Sequence, residues 1–224
     1  MLSIHMHDDG RVRMVRDEEN GQPQKIKHVA LQDLIGAFQD QAMASPILPP
    51  GTVQYWRSFN NQVLAVYTPA HKRTMSLCGE EYENMPVPAT LLVVQLYSND
   101  NGFGVSNSAM YTMAGDFQGP NTQLYSFPYG NLFDDSRICW GEVQPNLGNV
   151  FQVGSLVDVF LGSDFNLDLT GLYRHDRMAE NDEEYVDLPT FWKRMQGQEQ
   201  IPTNLLRDVG QYRNIEDLLY FIRN

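Results

Sequence analysis

The stretch Tyr129–Gly141, YGNLFDDSRICWG, places Cys139 eight positions after Asn131, with Asp134, Asp135 and Ser136 between them. A cysteine open to solvent is a nucleophile, and its thiolate is also a competent leaving group. Such a cysteine, held in a polar loop beside a helper residue, would do covalent chemistry. The same letters also read as a core thiol at a strand end, since free cysteine is among the most buried residue types and Ile138 and Trp140 flank it. His175 is the one histidine beyond Cys139, so a protease-like Cys/His pair has little support. The other cysteine, Cys78, follows HKRTMSL and reads as a partly buried structural thiol near a strand end.

Other chemistry is thinly represented. The chain has no GxxxxGK[ST], G-x-S-x-G, CxxC or HExxH pattern. In HMHDD, His5 and His7 share one face of a strand that ends at Asp8 and Asp9. With no second His/Cys cluster to complete a shell, this reads as a half-exposed strand running into its turn, and no metal or cofactor is expected. The segment 174–187, RHDRMAENDEEYVD, reads as an exposed acidic loop, solvated or offered to a basic partner. The net charge of −12 opposes phosphate backbones, and HKR at 71–73, the densest basic spot, reads as a solvated turn, so no nucleic-acid partner is expected.

The elements that must position Cys139 follow from periodicity. LSIHMH and RVRMVR around Asp9-Gly10 predict an N-terminal hairpin, followed by the polar loop DEENGQPQK. Leu31, Leu34, Ile35, Phe38 and Ala42 predict a helix over about 27–44, stopped by SPILPPG. TVQYWRSF, QVLAVYTP, ATLLVVQLY and FGVSNSAMYTM predict four strands, with a turn at Asn60-Asn61, in an antiparallel meander. Past Cys139, Val150, Val153, Val157 and Phe160 predict a helix beginning near Asn149. PTFWKRM predicts a short helix, and Asn214 caps a final amphipathic one carrying Ile215, Leu218, Leu219 and Ile222. The order is an α+β pattern, not alternating βαβ. The absence of a signal-peptide pattern, of a membrane-length apolar run and of a disulfide framework predicts a cytoplasmic protein with no membrane partner.

The cysteine stretch resembles the active-site motif of ubiquitin-conjugating enzymes. In that family a His-Pro-Asn motif, a short polar loop and Ile-Cys-Leu set the cysteine eight positions after the asparagine. Here Tyr129-Gly130-Asn131 is followed by Leu132, by Asp134-Asp135-Ser136 and by Ile138-Cys139-Trp140, with no gap. LPPGTVQYW, AVYTPAHKRTM, TQLYSFPYGN and RICWG, within Val29 to Gly141, look like the prokaryotic relatives called family D. The family's histidine and proline are Tyr129 and Gly130 in this chain.

The resemblance implies a ubiquitin-conjugating-like (UBC-like) fold: a four-stranded antiparallel meander flanked by helices. It divides the chain into an N-terminal hairpin extension at 1–26, a core at 27–165 and a C-terminal helical extension at 166–224. It implies that Cys139 carries a ubiquitin-like protein as a thioester, received from a ThiF-like activating enzyme, and passes it to an amine. Asn131 would donate to the oxyanion or brace the loop. Asp134 and Asp135 would orient the incoming ammonium or simply shape the turn. Tyr129 and Trp140 would wall the site. The same fold also occurs as an inactive binding module, in which Cys139 is a structural thiol, and a purely structural mobile-element protein is a third reading.

Overall fold

The computed structural model describes residues 2–6, 11–17, 23–30, 47–58, 61–169, 187–209 and 214–218. The chain divides into two compact units, Met1–Ile47 and Leu48–Asn224.

The first unit is a three-stranded antiparallel sheet, order β1-β2-β3, from β1 (Leu2–Met6), β2 (Arg11–Asp17) and β3 (Pro23–Ala30). The predicted hairpin is β1–β2. The third strand corrects two expectations, because Pro23–Lys25 is not loop and residues 27–30 are not the start of a helix. The cause is local. In KIKHV the apolar residues Ile26 and Val29 stand three apart, so no period-two alternation marks the strand, and Pro23 sits at the strand's first position, where proline is tolerated. Helical spacing begins only at Leu31, and residues 31–46 lie outside the described residues. So do His7, Asp8 and Asp9 of the histidine motif.

The second unit is built on β4 (Thr52–Ser58), β5 (Asn61–Thr68), β8 (Thr90–Asn99) and β9 (Gly102–Thr112), adjacent in the order β4-β5-β8-β9 and antiparallel throughout. These are the four strands read from the sequence. Ser58 pairs with Asn61, so the first connection is residues 59–60, one position earlier than expected. Between β5 and β8 the chain makes a further hairpin, β6 (His71–Leu77) and β7 (Glu80–Val87), which belongs to a separate sheet. HKR is therefore strand, not turn. Lys72 and Arg73 are ion-paired with Glu199 and Asp158.

ATLLVV lacks alternation because the main sheet is covered on both faces. Leu64, Val66, Leu92, Val94, Leu96 and Met110 face one cluster, with the β6–β7 residues Met75, Leu77, Tyr82, Met85 and Val87. Val63, Ala65, Leu91, Val93 and Tyr111 face another, with Leu124, Ile215 and Leu218. The first cluster is closed by α1 (Ser155–Leu161) and α2 (Leu188–Met195), through Val157, Phe160, Leu161, Phe191 and Trp192. A 3-10 turn, Val150–Gly154, leads into α1, and Asn149 caps it reciprocally with Gln152, so the helical segment begins where the sequence placed it. PTFWKRM lies in α2, and the Asn214 side chain caps the turn Ile215–Leu218 by accepting from Asp217 N–H at 2.9 Å. The acidic segment lies outside the described residues except Asp187, which caps α2. The architecture is mixed α+β, with mostly antiparallel sheets and few helices among the described residues. None of those helices is long and apolar enough to cross a membrane.

Candidate functional site

The outer edge of β9 positions the cysteine segment. Three short pieces cover it in turn: β10 (Tyr125–Ser126) against Thr112 and Tyr111, then Ser136–Ile138, then β11 (Asn146–Leu147) against Gly104 and Phe103. The middle piece is held by Met110 N–H donating to Ser136 O (3.0 Å), Ile138 N–H donating to Ser108 O (2.9 Å) and an Ala109–Arg137 bridge. An edge strand left open would offer unpaired donors and acceptors to other chains, and these segments occupy them.

Residues 131–139 form a hairpin. Leu132 bridges Ile138, and Phe133 N–H donates to Arg137 O (2.9 Å). Ser136, with φ +67°, closes the tip by donating its N–H to Phe133 O (2.9 Å). A three-residue loop ending in a left-handed residue is a common hairpin connection. One step down the ladder, Cys139 N–H donates to Asn131 O at 2.9 Å. The eight-residue spacing is thus the span of a tight hairpin whose two ends are paired. Cys139 stands where the chain leaves the sheet edge. Cys139 is half-buried, whereas Ile138 before it is buried.

Asn131 sits at φ +54°, a left-handed conformation that asparagine tolerates better than most residues, preceded by Gly130 at φ +100°. The turn sends Asn131 N–H to Leu169 O (3.1 Å) rather than to Cys139. The residue is 8% exposed, and its side chain addresses β12 (Asp164–Phe165). Nδ2 donates to Asp164 O and Oδ1 accepts from Asn166 N–H, both at 3.2 Å. These two peptide groups flank Phe165 and face away from β6, with which β12 pairs in parallel. The amide therefore occupies the place of a neighbouring strand. The second N–H of Nδ2 has no hydrogen-bond partner among the described residues.

On the far side of β12, Cys78 N–H donates to Phe165 O (2.8 Å). The Asp164 carboxylate accepts from Ser76 Oγ–H and from Gly79 N–H, at 3.0 and 3.1 Å to its two oxygens in the latter case. The Ser76 hydroxyl first and the Gly79 amide second hold the Asp164 carboxyl below the usual aspartate range.

The remaining predicted residues divide. Asp134 and Asp135 are exposed at the hairpin tip, where Asp135 pairs with Arg137 Nε at 2.6 Å and the guanidinium lies over the Phe133 ring at 5.5 Å. Trp140 is half-buried beside Cys139, its Nε1–H donating to Ser108 Oγ (2.9 Å) and its ring edge-on to Phe160. Tyr129, expected at the wall, is instead fully buried, with its hydroxyl donating to Pro86 O (2.6 Å) and its ring packed on Phe127, Phe191 and Trp192. Cys78, expected to be partly buried, is exposed. With Gly79 it forms the two-residue turn of β6–β7, both at positive φ, a geometry in which the first side chain projects from the tip. Sequence reasoning missed Asp164 altogether, and no motif marks it. The Cys-Gly turn was findable as an X-Gly pair between residues that close a hairpin.

The site is a cysteine presented at a sheet edge by a braced hairpin. Residues 27–209 match the family model described as Prokaryotic E2 family D. The match covers most of the chain, and the chain belongs to that family of ubiquitin-conjugating-like proteins. No curated protein and no solved structure matches it.

Proposed function

We propose that the chain carries a ubiquitin-like protein as a thioester on Cys139 and transfers it to an amine. The observation that carries this reading is the pairing of Cys139 with Asn131 across the hairpin, with Cys139 half-buried rather than enclosed in the core. The Cys139 thiolate attacks the thioester of a ThiF-like activating enzyme, whose own thiolate leaves. A neutral amine then attacks the Cys139 thioester, loses a proton, and forms the amide as the Cys139 thiolate departs. In this reading Asn131 donates to the oxyanion or braces the hairpin through its bonds to Asp164 O and Asn166 N–H, and Asp134 and Asp135, exposed at the hairpin tip, orient the incoming amine. LPPGTVQYW and its companion stretches also resemble protein B of the plasmid-associated PRTRC system, which supports a mobile-element setting in the cytoplasm.

The test combines the protein with a candidate ThiF-like activating enzyme, ATP and a candidate ubiquitin-like protein, followed by a non-reducing gel. A thiol-sensitive adduct that persists in Cys78→Ser and vanishes in Cys139→Ser is expected. Binding without any adduct would replace this reading with an inactive module that holds the modifier or its activating enzyme.

A further inference from the structure

We propose that Asp164 is a positioning residue for the Cys139 hairpin, acting through Asn131 by the hydrogen bonds its carboxylate accepts. As a role in transfer, this rests on the function proposed above. As a coupling between residues, it stands on the geometry alone.

The connection is continuous. Ser76 Oγ–H and Gly79 N–H fix the Asp164 carboxylate at the end of the β6–β7 hairpin. The carboxylate thereby anchors β12, an element of two residues that is too short to hold its register by pairing alone. The peptide groups on either side of Phe165 seat the Asn131 amide through Asp164 O and Asn166 N–H. Asn131 O in turn takes the Cys139 N–H. Each link is a single hydrogen bond or a pair of them, and a chain of this kind transmits the loss of any member. The Asp164 carboxyl, held below the usual aspartate range, agrees, since the charged form is the one these donors stabilise. A residue that only capped the Cys78-Gly79 turn would need the same two carboxylate bonds, but its loss would leave the other end of the chain unchanged.

The experiment uses the full chain in a Cys78→Ser background, so that Cys139 is the one thiol present. Its alkylation by iodoacetamide is followed by intact mass across a range of pH. Releasing the hairpin uncovers a half-buried sulfur, so Asp164→Ala and Asn131→Gly are each expected to raise the thiolate plateau rate about three- to tenfold, within the span of couplings between contacting residues. The double variant is expected to go no higher than the single ones. Asp164→Asn, which keeps an oxygen acceptor for Ser76 and Gly79, should return to within about twofold of the parent. An unchanged or slower rate in Asp164→Ala, effects that multiply in the double variant, or failure of Asp164→Asn to rescue would each overturn the proposal. A parent that forms no thioester with matched partners would refute the proposed function instead, and the alkylation result would still decide the coupling.

Discussion

Replacing Asn131 separates its two structural duties. Asn131→Ala deletes the bonds to Asp164 O and Asn166 N–H, which at about 1 kcal/mol net apiece sum to about 2 kcal/mol. Alanine must also adopt φ +54°, at a further cost of about 1–2 kcal/mol. The expected loss is therefore about 3–4 kcal/mol, a large share of the stability of an ordinary domain. Asn131→Gly deletes the same bonds but meets no left-handed penalty. Its greater unfolded-state freedom costs about 0.5–1 kcal/mol, so it should be about 1 kcal/mol less destabilised than alanine.

Urea unfolding followed by tryptophan fluorescence measures this well. Trp56, Trp140 and Trp192, all three tryptophans, lie in the Leu48–Asn224 unit, so the signal reports the unit that holds the site. A loss below about 1 kcal/mol in Asn131→Ala would show that the amide does not brace β12. Equal losses in the two variants would show that the left-handed backbone is not enforced. In the transfer assay, Asn131→Ala should slow discharge more than loading, and an equal loss in both steps would mean that the hairpin has collapsed.

Tyr129→Phe strips a buried donor from Pro86 O and should cost about 1–3 kcal/mol in urea unfolding while leaving the discharge rate near the parent's, because Tyr129 is core and not wall. Cys78→Asn should raise stability by about 0.5–1 kcal/mol in the same assay, since Asn-Gly suits a two-residue turn with both φ angles positive, and a decrease would contradict that turn. Asp164 titrates below its unfolded value in the fold, so its contribution is complete above about pH 4 and is lost as pH falls through the lower, folded value. The stability gap between the parent and Asp164→Asn should therefore stay level from about pH 5 to about pH 8 and narrow below about pH 4. A gap that instead widened on acidification would exclude a carboxylate held by Ser76 and Gly79.

What the sequence made legible in the fold is what periodicity encodes. The four apolar strands and the Asn149 helix start were readable because their burial patterns repeat and their caps are of the expected type. The β6–β7 hairpin was not. Its inward residues are Met75 and Leu77 on one strand and Tyr82, Met85 and Val87 on the other, a bulge between Arg73 and Met75 breaks the alternation, and charges fill the outward positions. β3 is hidden for a different reason, since Ile26 and Val29 stand three apart and give no alternation to separate the strand from the helical stripe that begins at Leu31.

The site divides along the same line between local and distant information. The relation of Asn131 to Cys139 is local. Ladder pairing in a hairpin joins residues whose numbers share one sum, as Leu132–Ile138 and Phe133–Arg137 do, and the next pair outward is Asn131–Cys139. A fixed interval in the sequence is therefore a fixed distance in space, and replacing the two residues before Asn131 need not disturb it. Gly130 serves this end by taking φ +100°, and Tyr129 by filling the core beneath the turn. What Asn131's side chain does is not local, because its partners arrive 33 and 35 residues later, on and just after a strand two residues long. Neither a spacing nor a motif ties Asn131 to Asp164; only the fold brings them together. The eight-residue interval therefore specifies where the cysteine stands, and the distant strand governs how firmly it is held there.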